Sequence, residues 1–470
     1  LLSLGAYTLT LAPTFYNLDS AEFAIGVHTL GIVHATGYPL YLLLGRALTT
    51  ILPFADLGYE LNLLSALYAG LTLLGVTWGV AQLTAREQPG ARWGAYGGAV
   101  AALCLGFSYY FWAVAVIAEV YTLQTFLLSM ALGCLLRWES TSQLRWLVAF
   151  ALFYSLCFAN HISIGLTLPA LLWYVARRRS KFKEVGRRLL HALPAVLVGP
   201  LFYLYFPLRY RVTEYNLAGT YDALGRFVPV DLGSWQGMWW LLSGQMFRTM
   251  VFGYTWSEAV RELGAFLHQF WGNFLGLGIV IGVIGIASLW RRHKSWTGTL
   301  LIMFGAHALF FVNYRAVDKA LMFLPCYLLW AYFMGAGFTW LLEWVESTGG
   351  FKPIFNLSWS LLLVLALYLV NYAYVDLSDD YRARSRAEAF LDKADPDALV
   401  VGWWTEVTPI QYLQYVEGER ADLDIINRLM ISDEALWQLV AAERESRTVY
   451  LLQHDYIRSL RARDPNPWRP

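Results

Sequence analysis

The chain of 470 residues is 57% hydrophobic and 16% aromatic with only 15% charged residues, and its mean hydropathy of +0.44 excludes an ordinary soluble domain in favour of an integral membrane protein. Its 35 basic and 34 acidic residues leave a net charge of +1, so the basic face that a nucleic-acid partner requires is lacking. Cys104, Cys134, Cys157 and Cys326 all lie in apolar stretches without CxxC spacing, the pattern of small core residues, not of a metal centre.

Apolar runs near 1–16, 61–83, 94–112, 119–137, 144–159, 162–176, 189–207, 265–290, 296–313, 319–342 and 356–374 predict about eleven spans, since a crossing helix needs about 20 residues. The first run is slightly short and reads as a clipped first helix, not as a signal peptide. Basic clusters set the orientation: RRRSKFKEVGRR at 177–188 and RRHK at 291–294 should face the cytoplasm. The linkers at 84–93, 138–143 and 343–355 then fall on the same side, and residues 17–60, 208–264 and everything after 375 fall outside. The outer face therefore carries an acidic first loop, a long loop rich in Trp, Tyr and Gly, and a polar tail, which points to work at that surface. After Asp376 the pattern changes. ALVVGWW, ADLDIINRLM and TVYLLQ read as strands alternating with helices TPIQYLQYVEG and DEALWQLVAAERES, a small parallel α/β domain outside the membrane. Two domains are expected, 1–375 in the membrane and 376–470 outside it.

The first outer loop opens with NLDSAEFAIGVHTLGIVHATGYP, residues 17–39. On a helix Asp19, Glu22 and Phe23 share one face, and Val27 and Leu30 continue the apolar stripe. The segment would then lie along the membrane surface with its acids aimed at a cavity. Asp19 as a helix cap, with Glu22 completing a capping arrangement, is a compatible alternative. Gly37 and Pro39 predict an ordered turn holding His34 and Tyr38, then a helix over 40–53. His34 is the functional candidate, and His28 is an interfacial residue.

Glu119, in VIAEVYTL with Tyr121, sits too close to hydrocarbon to be left unpaired. Asn160 and His161 mark the outer junction of two apolar runs, either as a cavity wall or as a hydrogen-bonded helix break. Arg209 and Arg211 leave a span in YFPLRYR, Arg248 lies in SGQMFRTMVFG, and Arg315, Asp318 and Lys319 share the turn VNYRAVDKA. Guanidinium forks suit phosphate, although each Arg taken singly also suits a headgroup anchor. No zinc pattern, phosphate loop, GxSxG elbow or dinucleotide fingerprint occurs in a convincing context.

DSAEF, LGIVHATGYPLYLLLGR and LNLLSALYAG resemble the DSGE(F/L), LG-x-x-HPPGYPLY-x-x-LG and N-LLSA signature of a family of GT-C-type membrane glycosyltransferases. That family is related to the animal endoplasmic-reticulum protein O-mannosyltransferase that acts on plexin-type receptor domains. Ser108, Phe111 and Trp112, AEVYTL at 118–123, the Asn160–His161 pair, YFPLR, the turn with Asn313, Tyr314 and Asp318, and the tail TEVTPIQYLQYVEGERADLDIIN extend the likeness over nearly the whole chain.

The resemblance implies a polytopic α-helical GT-C-like fold and a polyprenyl- or dolichyl-phosphate sugar donor. It implies transfer of a hexose, mannose among them, to a protein or glycan acceptor outside the cytoplasm, at a bacterial plasma membrane or in the endoplasmic reticulum of a eukaryote. By the same likeness Asp19 corresponds to the acid that activates the acceptor, and Glu22 and Glu119 would position that acceptor or a divalent cation. His34, Tyr38, Tyr121, Asn160, His161 and Asp318 would line the substrate cavity, with Arg209, Arg248 and Arg315 on the phosphate. No cofactor is required beyond the lipid-linked donor, and metal ligands stay unassigned. Ala21 for Gly, Ala35 and Thr36 for two prolines, and NLAGT at 216–220 for NWGDP depart from the family pattern and bear on the acceptor site. The rival reading is a polytopic transporter or lipid flippase, because acids and broken helices also mark transport; against it, the polar residues gather at one membrane face.

Overall fold

The computed structural model describes all residues except 18, 53, 86–92, 317, 349–352, 454–455 and 461–470. Its apolar runs form helices of bilayer length: among the described residues Leu57–Thr84, Val120–Thr141, Leu190–Arg209 and Lys294–Val312 are long and apolar enough to cross a membrane. Two bent pairs bring the number to as many as six, and they correct the straight crossings expected at 94–112 and 265–290. Trp93–Gly106 and Tyr109–Ala115 meet at 72° because Ser108 takes an extended backbone and its hydroxyl donates to the Leu105 carbonyl at 2.7 Å, closing the first helix. Trp256–Asn273 and Leu277–Arg292 meet at 96° across Leu275 and Gly276, both at positive φ, a conformation that ends one helix and redirects the chain. The run 1–16 is helical only over Leu2–Leu9, and 162–176 opens with a 3-10 turn, Ile162–Thr167, before the helix Leu168–Arg177. The eleven apolar runs are therefore not eleven straight crossings.

Helix Leu324–Ser347 runs through the centre, buried almost without a break from Leu324 to Thr339, as expected of a helix that is apolar all round. It packs on Trp93–Gly106 and on Leu277–Arg292. At the second crossing a Cβ on Gly285 would lie 1.8 Å from the Phe333 carbonyl and one on Gly337 would lie 2.1 Å from that of Ile281. The two backbones touch because both crossing residues lack side chains.

The first outer loop folds as helix Asp19–Thr29, a turn, and helix Pro39–Thr49. Residues 20–27 of the first helix are buried. In the turn, Gly37 has φ +90, and a Cβ there would stand 2.3 Å from the Phe206 ring; both facts demand glycine. Pro39 then starts the second helix at the position where its missing N–H does no harm.

Arg209 closes the first helix. Its Nε donates to the Leu30 carbonyl at 3.0 Å and Nη2 to that of Thr29 at 2.9 Å, groups that a helix end leaves unpaired. Arg209→Ala is expected to destabilise the protein by about 2 kcal/mol, the worth of a charge-assisted bond to orphaned carbonyls. A thermal unfolding scan in detergent would register it, and an unchanged Tm would show that these bonds carry no stability.

Beyond residue 376, strands Leu399–Gly402, Asp424–Asn427 and Val449–Gln453 form the expected parallel sheet, with Leu399–Gly402 in the middle. A fourth strand, Tyr456–Leu460, pairs antiparallel with Val449–Gln453 and was not expected from the sequence. The sheet does not stand apart from the membrane-proximal part. Its helix Trp404–Val416 lies along Asp19–Thr29, Tyr412 stacks near Phe15 with centroids 4.2 Å apart, and the Gly58 N–H donates to the Tyr412 hydroxyl at 3.3 Å. Arg384 binds Glu417 at 2.6 Å and approaches Asp56 at 3.4 Å. Inside the 208–264 loop a short hairpin, Gly219–Tyr221 with Phe227–Pro229, leans on the same sheet through a Tyr221–Ile431 bridge.

Candidate active site

Asp19 and Glu22 lie one helical turn apart, and the Gly37 turn brings His34 back over both. Glu22 is fully buried. Its Oε1 accepts the His34 backbone N–H at 2.7 Å, and its Oε2 stands 2.9 Å from His34 Nδ1. The other ring nitrogen, Nε2, is 2.9 Å from the Tyr38 hydroxyl and 3.7 Å from Asp19 Oδ2. The imidazole is thus held between two carboxylates.

Burial alone would lower the His34 pKa, but the charges of Glu22 and Asp19 prevail and raise it to about 9. At neutral pH it is an imidazolium, which compensates the otherwise costly burial of Glu22. Asp19 keeps its side chain 20% exposed. Burial raises its pKa, the His34 charge opposes that, Glu22 adds to it, and the balance is about 6. The carboxylate is then ionised at pH 7 yet basic enough to take a proton.

Two aromatic side chains from distant segments flank the imidazole. The ring of Phe247, in the large outer loop, is 5.9 Å from His34, and that of Trp404, at the start of the C-terminal helix, is 5.4 Å away. The Trp404 indole also faces the Asp19 carboxylate, and its hydrogen bond works to lower that acid's pKa. Neither residue was singled out in the sequence. The only signal was indirect: the pair Trp403–Trp404 directly precedes the family-like TEVTPIQY stretch.

The other predicted residues fall into three groups. Tyr38 and Tyr121 both lie against His161, with ring centroids 5.4 and 5.6 Å from it. Its Nδ1 accepts the Ser163 N–H at 3.2 Å, which leaves the proton of the neutral ring on Nε2. Asn160, at the end of helix Leu144–Asn160, ties that helix to Val120–Thr141: its amide donates to the Val120 carbonyl and to Gln124 Oε1, both at 3.0 Å. Glu119 is 1% exposed, and among the described residues its Oε2 has no hydrogen-bond partner. Asp318 feels Asp19, and burial followed by that charge raises its pKa to about 6.

The cations divide. Arg209, expected on phosphate, is engaged by the carbonyls of Thr29 and Leu30, so it organises the loop instead. Arg248 and Arg315 are exposed on two segments that hydrogen-bond to each other, Phe252 N–H to Asn313 carbonyl and Arg315 N–H to Met250 carbonyl, both at 2.9 Å. Phe247 ties that pair of segments to His34. Arg211 rests over the Tyr210 ring, and Lys319 pairs with Glu262.

Asp19, Glu22 and His34 offer ligand atoms within 4.8 Å of one another, close enough to share a cation. Such an ion would compete with the imidazole proton, because Glu22 and His34 Nδ1 already bind each other.

The helical bundle, outer loops and C-terminal sheet together define a polytopic membrane protein of GT-C-like fold. The crystal structure of ArnT from Cupriavidus metallidurans bound to undecaprenyl phosphate superposes with a TM-score of 0.59 at 12% identity, over 97% of this chain and 92% of that one; its apo structure gives 0.53. Within that class the sequence is similar to one family in particular: residues 19–184, which begin at the catalytic candidate, match the N-terminal domain of protein O-mannosyl-transferase TMEM260. The mouse protein O-mannosyl-transferase TMEM260 is 26% identical over 466 residues, covering 93% of this chain and 62% of that protein. The Dictyostelium discoideum protein of the same description is 22% identical over 480 residues, covering 91% and 56%. The chain therefore spans about three-fifths of the length of these curated relatives.

Proposed function

We propose that the protein is a glycosyltransferase that moves a hexose, mannose first among the candidates, from a polyprenyl-phosphate carrier to a hydroxyl of a protein acceptor on the extracytoplasmic side of the membrane. The observation that carries the reading is the partly exposed Asp19 carboxylate, tuned to about 6 beside a buried imidazolium. The printed descriptions of the relatives support the acceptor class, and the undecaprenyl phosphate held by the ArnT fold supports the donor class.

In this reading Asp19 takes the acceptor hydroxyl proton as the oxygen bonds to the anomeric carbon. The bond from that carbon to the phosphate oxygen breaks, and its electron pair leaves with the lipid phosphate. Arg248 and Arg315, the exposed guanidiniums beside the site, balance the charge that develops there. His34⁺ keeps Asp19 ionised, and Glu22 holds His34 in place. Residues 1–375 would be the membrane-embedded catalytic part and 376–470 an extracytoplasmic region that completes it. No cofactor besides the donor enters the scheme.

The test is direct. Purified protein in detergent is given polyprenyl-phosphate hexoses and a hydroxyl-bearing peptide, and transfer and donor hydrolysis are followed. Turnover of at least one donor is expected. No turnover, together with lipid or solute flux in reconstituted vesicles, would replace the enzyme with a transporter.

A further inference from the structure

The long outer loop runs into helix Trp256–Asn273, opened by a capping box at Thr255, and the residues of this helix sort into three faces. Trp256, Val260, Leu263, Leu267 and Trp271 recur every three or four positions and so form one apolar stripe. All five are exposed, from Leu263 at 42% to Trp256 at 85%. A second face is packed inside the protein: Phe266 and Phe270 are buried, and the Phe266 ring lies 4.4 Å from that of Phe323. Ser257, Arg261 and His268 make a third face, polar and exposed. An open apolar stripe beside polar residues marks an interaction surface.

The neighbouring helix shows what covers the stripe. Leu277–Arg292 carries no charge before Arg291 and Arg292, and its exposed residues Leu277, Val280 and Val283 are apolar, as on a helix that meets lipid. The basic pair belongs on the cytoplasmic side. The 16 residues of that helix rise about 24 Å at 1.5 Å per residue, so Leu277 comes near the outer edge of a hydrocarbon core about 30 Å thick. Helix Trp256–Asn273 meets it there at 96° and therefore runs along the membrane, not through it. Its own Glu258, Arg261, Glu262 and His268 agree, since ionisable groups are costly in hydrocarbon. The stripe thus continues a lipid-facing surface around a right-angled corner.

We infer that helix Trp256–Asn273 lies in the plane of the outer leaflet and seats its apolar stripe in the headgroup–acyl boundary of a phospholipid bilayer. Trp256 and Trp271 stand near its two ends, the depth that amphipathic indole rings favour, and the polar face looks to water. The helix is also fastened to the turn that carries Arg315 and Asp318. Glu262 pairs with Lys319, Gln269 Nε2 donates to the Ala320 carbonyl at 3.4 Å, and the Arg315 guanidinium stands 5.8 Å over the Tyr254 ring, just before the capping box. An in-plane helix therefore holds that turn at headgroup level, the depth at which a lipid-borne phosphate lies.

The experiment uses the full chain in phosphatidylcholine nanodiscs, where both membrane faces meet solvent. A nitrobenzoxadiazole label is attached at Leu263→Cys on the stripe and, in a second protein, at Ala265→Cys, an exposed position on the far side of the helix. The four native cysteines are buried, and the unsubstituted chain gives the background. Iodide quenching reports water, and phosphatidylcholine carrying a nitroxide high or low on its acyl chain reports depth. With the stripe about 5–10 Å into the boundary, iodide should quench the label at Leu263 at least about fivefold less than at Ala265, and the high nitroxide should quench it more than the low one. The inference is overturned if iodide reaches both positions equally, or if the low nitroxide is the better quencher, which would make the helix a re-entrant or spanning segment. It is overturned too if neither quencher reaches Leu263, which would mean that a protein surface covers the stripe. Leu267→Cys, on the same stripe, takes the place of Leu263→Cys if that variant does not fold. No sugar transfer is measured, so the result is independent of the transferase reading.

Discussion

Asp19→Asn is expected to lower sugar transfer by roughly 10²- to 10⁴-fold, the usual worth of a general base, with little change in KM for the lipid donor. The substitution keeps shape and volume, so the fold should survive, and an unchanged Tm would verify that. The pH profile adds a second readout. With Asp19 at about 6 and His34 at about 9, kcat/KM should fall below pH 6 as Asp19 takes up a proton and again above pH 9 as the imidazolium is lost. His34→Gln removes the charge that lowers Asp19, so its acid limb should move to higher pH. Full activity in Asp19→Asn, or an acid limb that ignores His34→Gln, would remove Asp19 from its assigned role.

Glu22→Gln should be the most destabilising single change at the site. It leaves a buried imidazole facing a neutral amide, and breaking a buried pair from one side costs about 3–5 kcal/mol. The effect depends on pH with a definite sign. A histidine whose folded pKa is raised adds stability that is complete below its unfolded pKa of about 6.5 and disappears as pH climbs through about 9. The native protein should therefore lose stability between about pH 6.5 and 9, and Glu22→Gln should flatten that slope. Parallel Tm curves for the two proteins over this range would show that the pair does not govern stability.

Much of the site was legible because its chemistry is local. Asp19 and Glu22 share a helical face by spacing alone, and Gly37 and Pro39 announce the turn that returns His34. The contact that turn creates was not legible. Glu22 is twelve residues from His34, and nothing in the pattern distinguishes a carboxylate that meets substrate from one that holds an imidazole. Arg209 shows the same limit: a guanidinium at a span exit looks the same in sequence whether it meets a phosphate or two carbonyls of the preceding loop. Trp404 and Phe247 enter by tertiary packing from segments far along the chain. In the fold, hydrophobic run length located the helices, but the breaks at Ser108 and Leu275–Gly276 depend on single backbone conformations that an apolar average conceals. The three parallel strands were readable from their alternation with helices, whereas the antiparallel Tyr456–Leu460 follows them too closely to stand out.

The fastening of the C-terminal helix onto the first outer loop orders events in the life of the molecule. The bond between Gly58 and Tyr412 joins residues 354 apart, and that between Arg384 and Thr14 joins residues 370 apart. A ribosome therefore delivers Asp19 to the membrane long before it makes the helix that covers it. Until the helix Trp404–Val416 has been made, the first loop lacks Trp404 beside His34, and the nascent protein is unfinished. Asp19 therefore acquires its complete surroundings only after Trp404, 385 residues further along the chain, has been made.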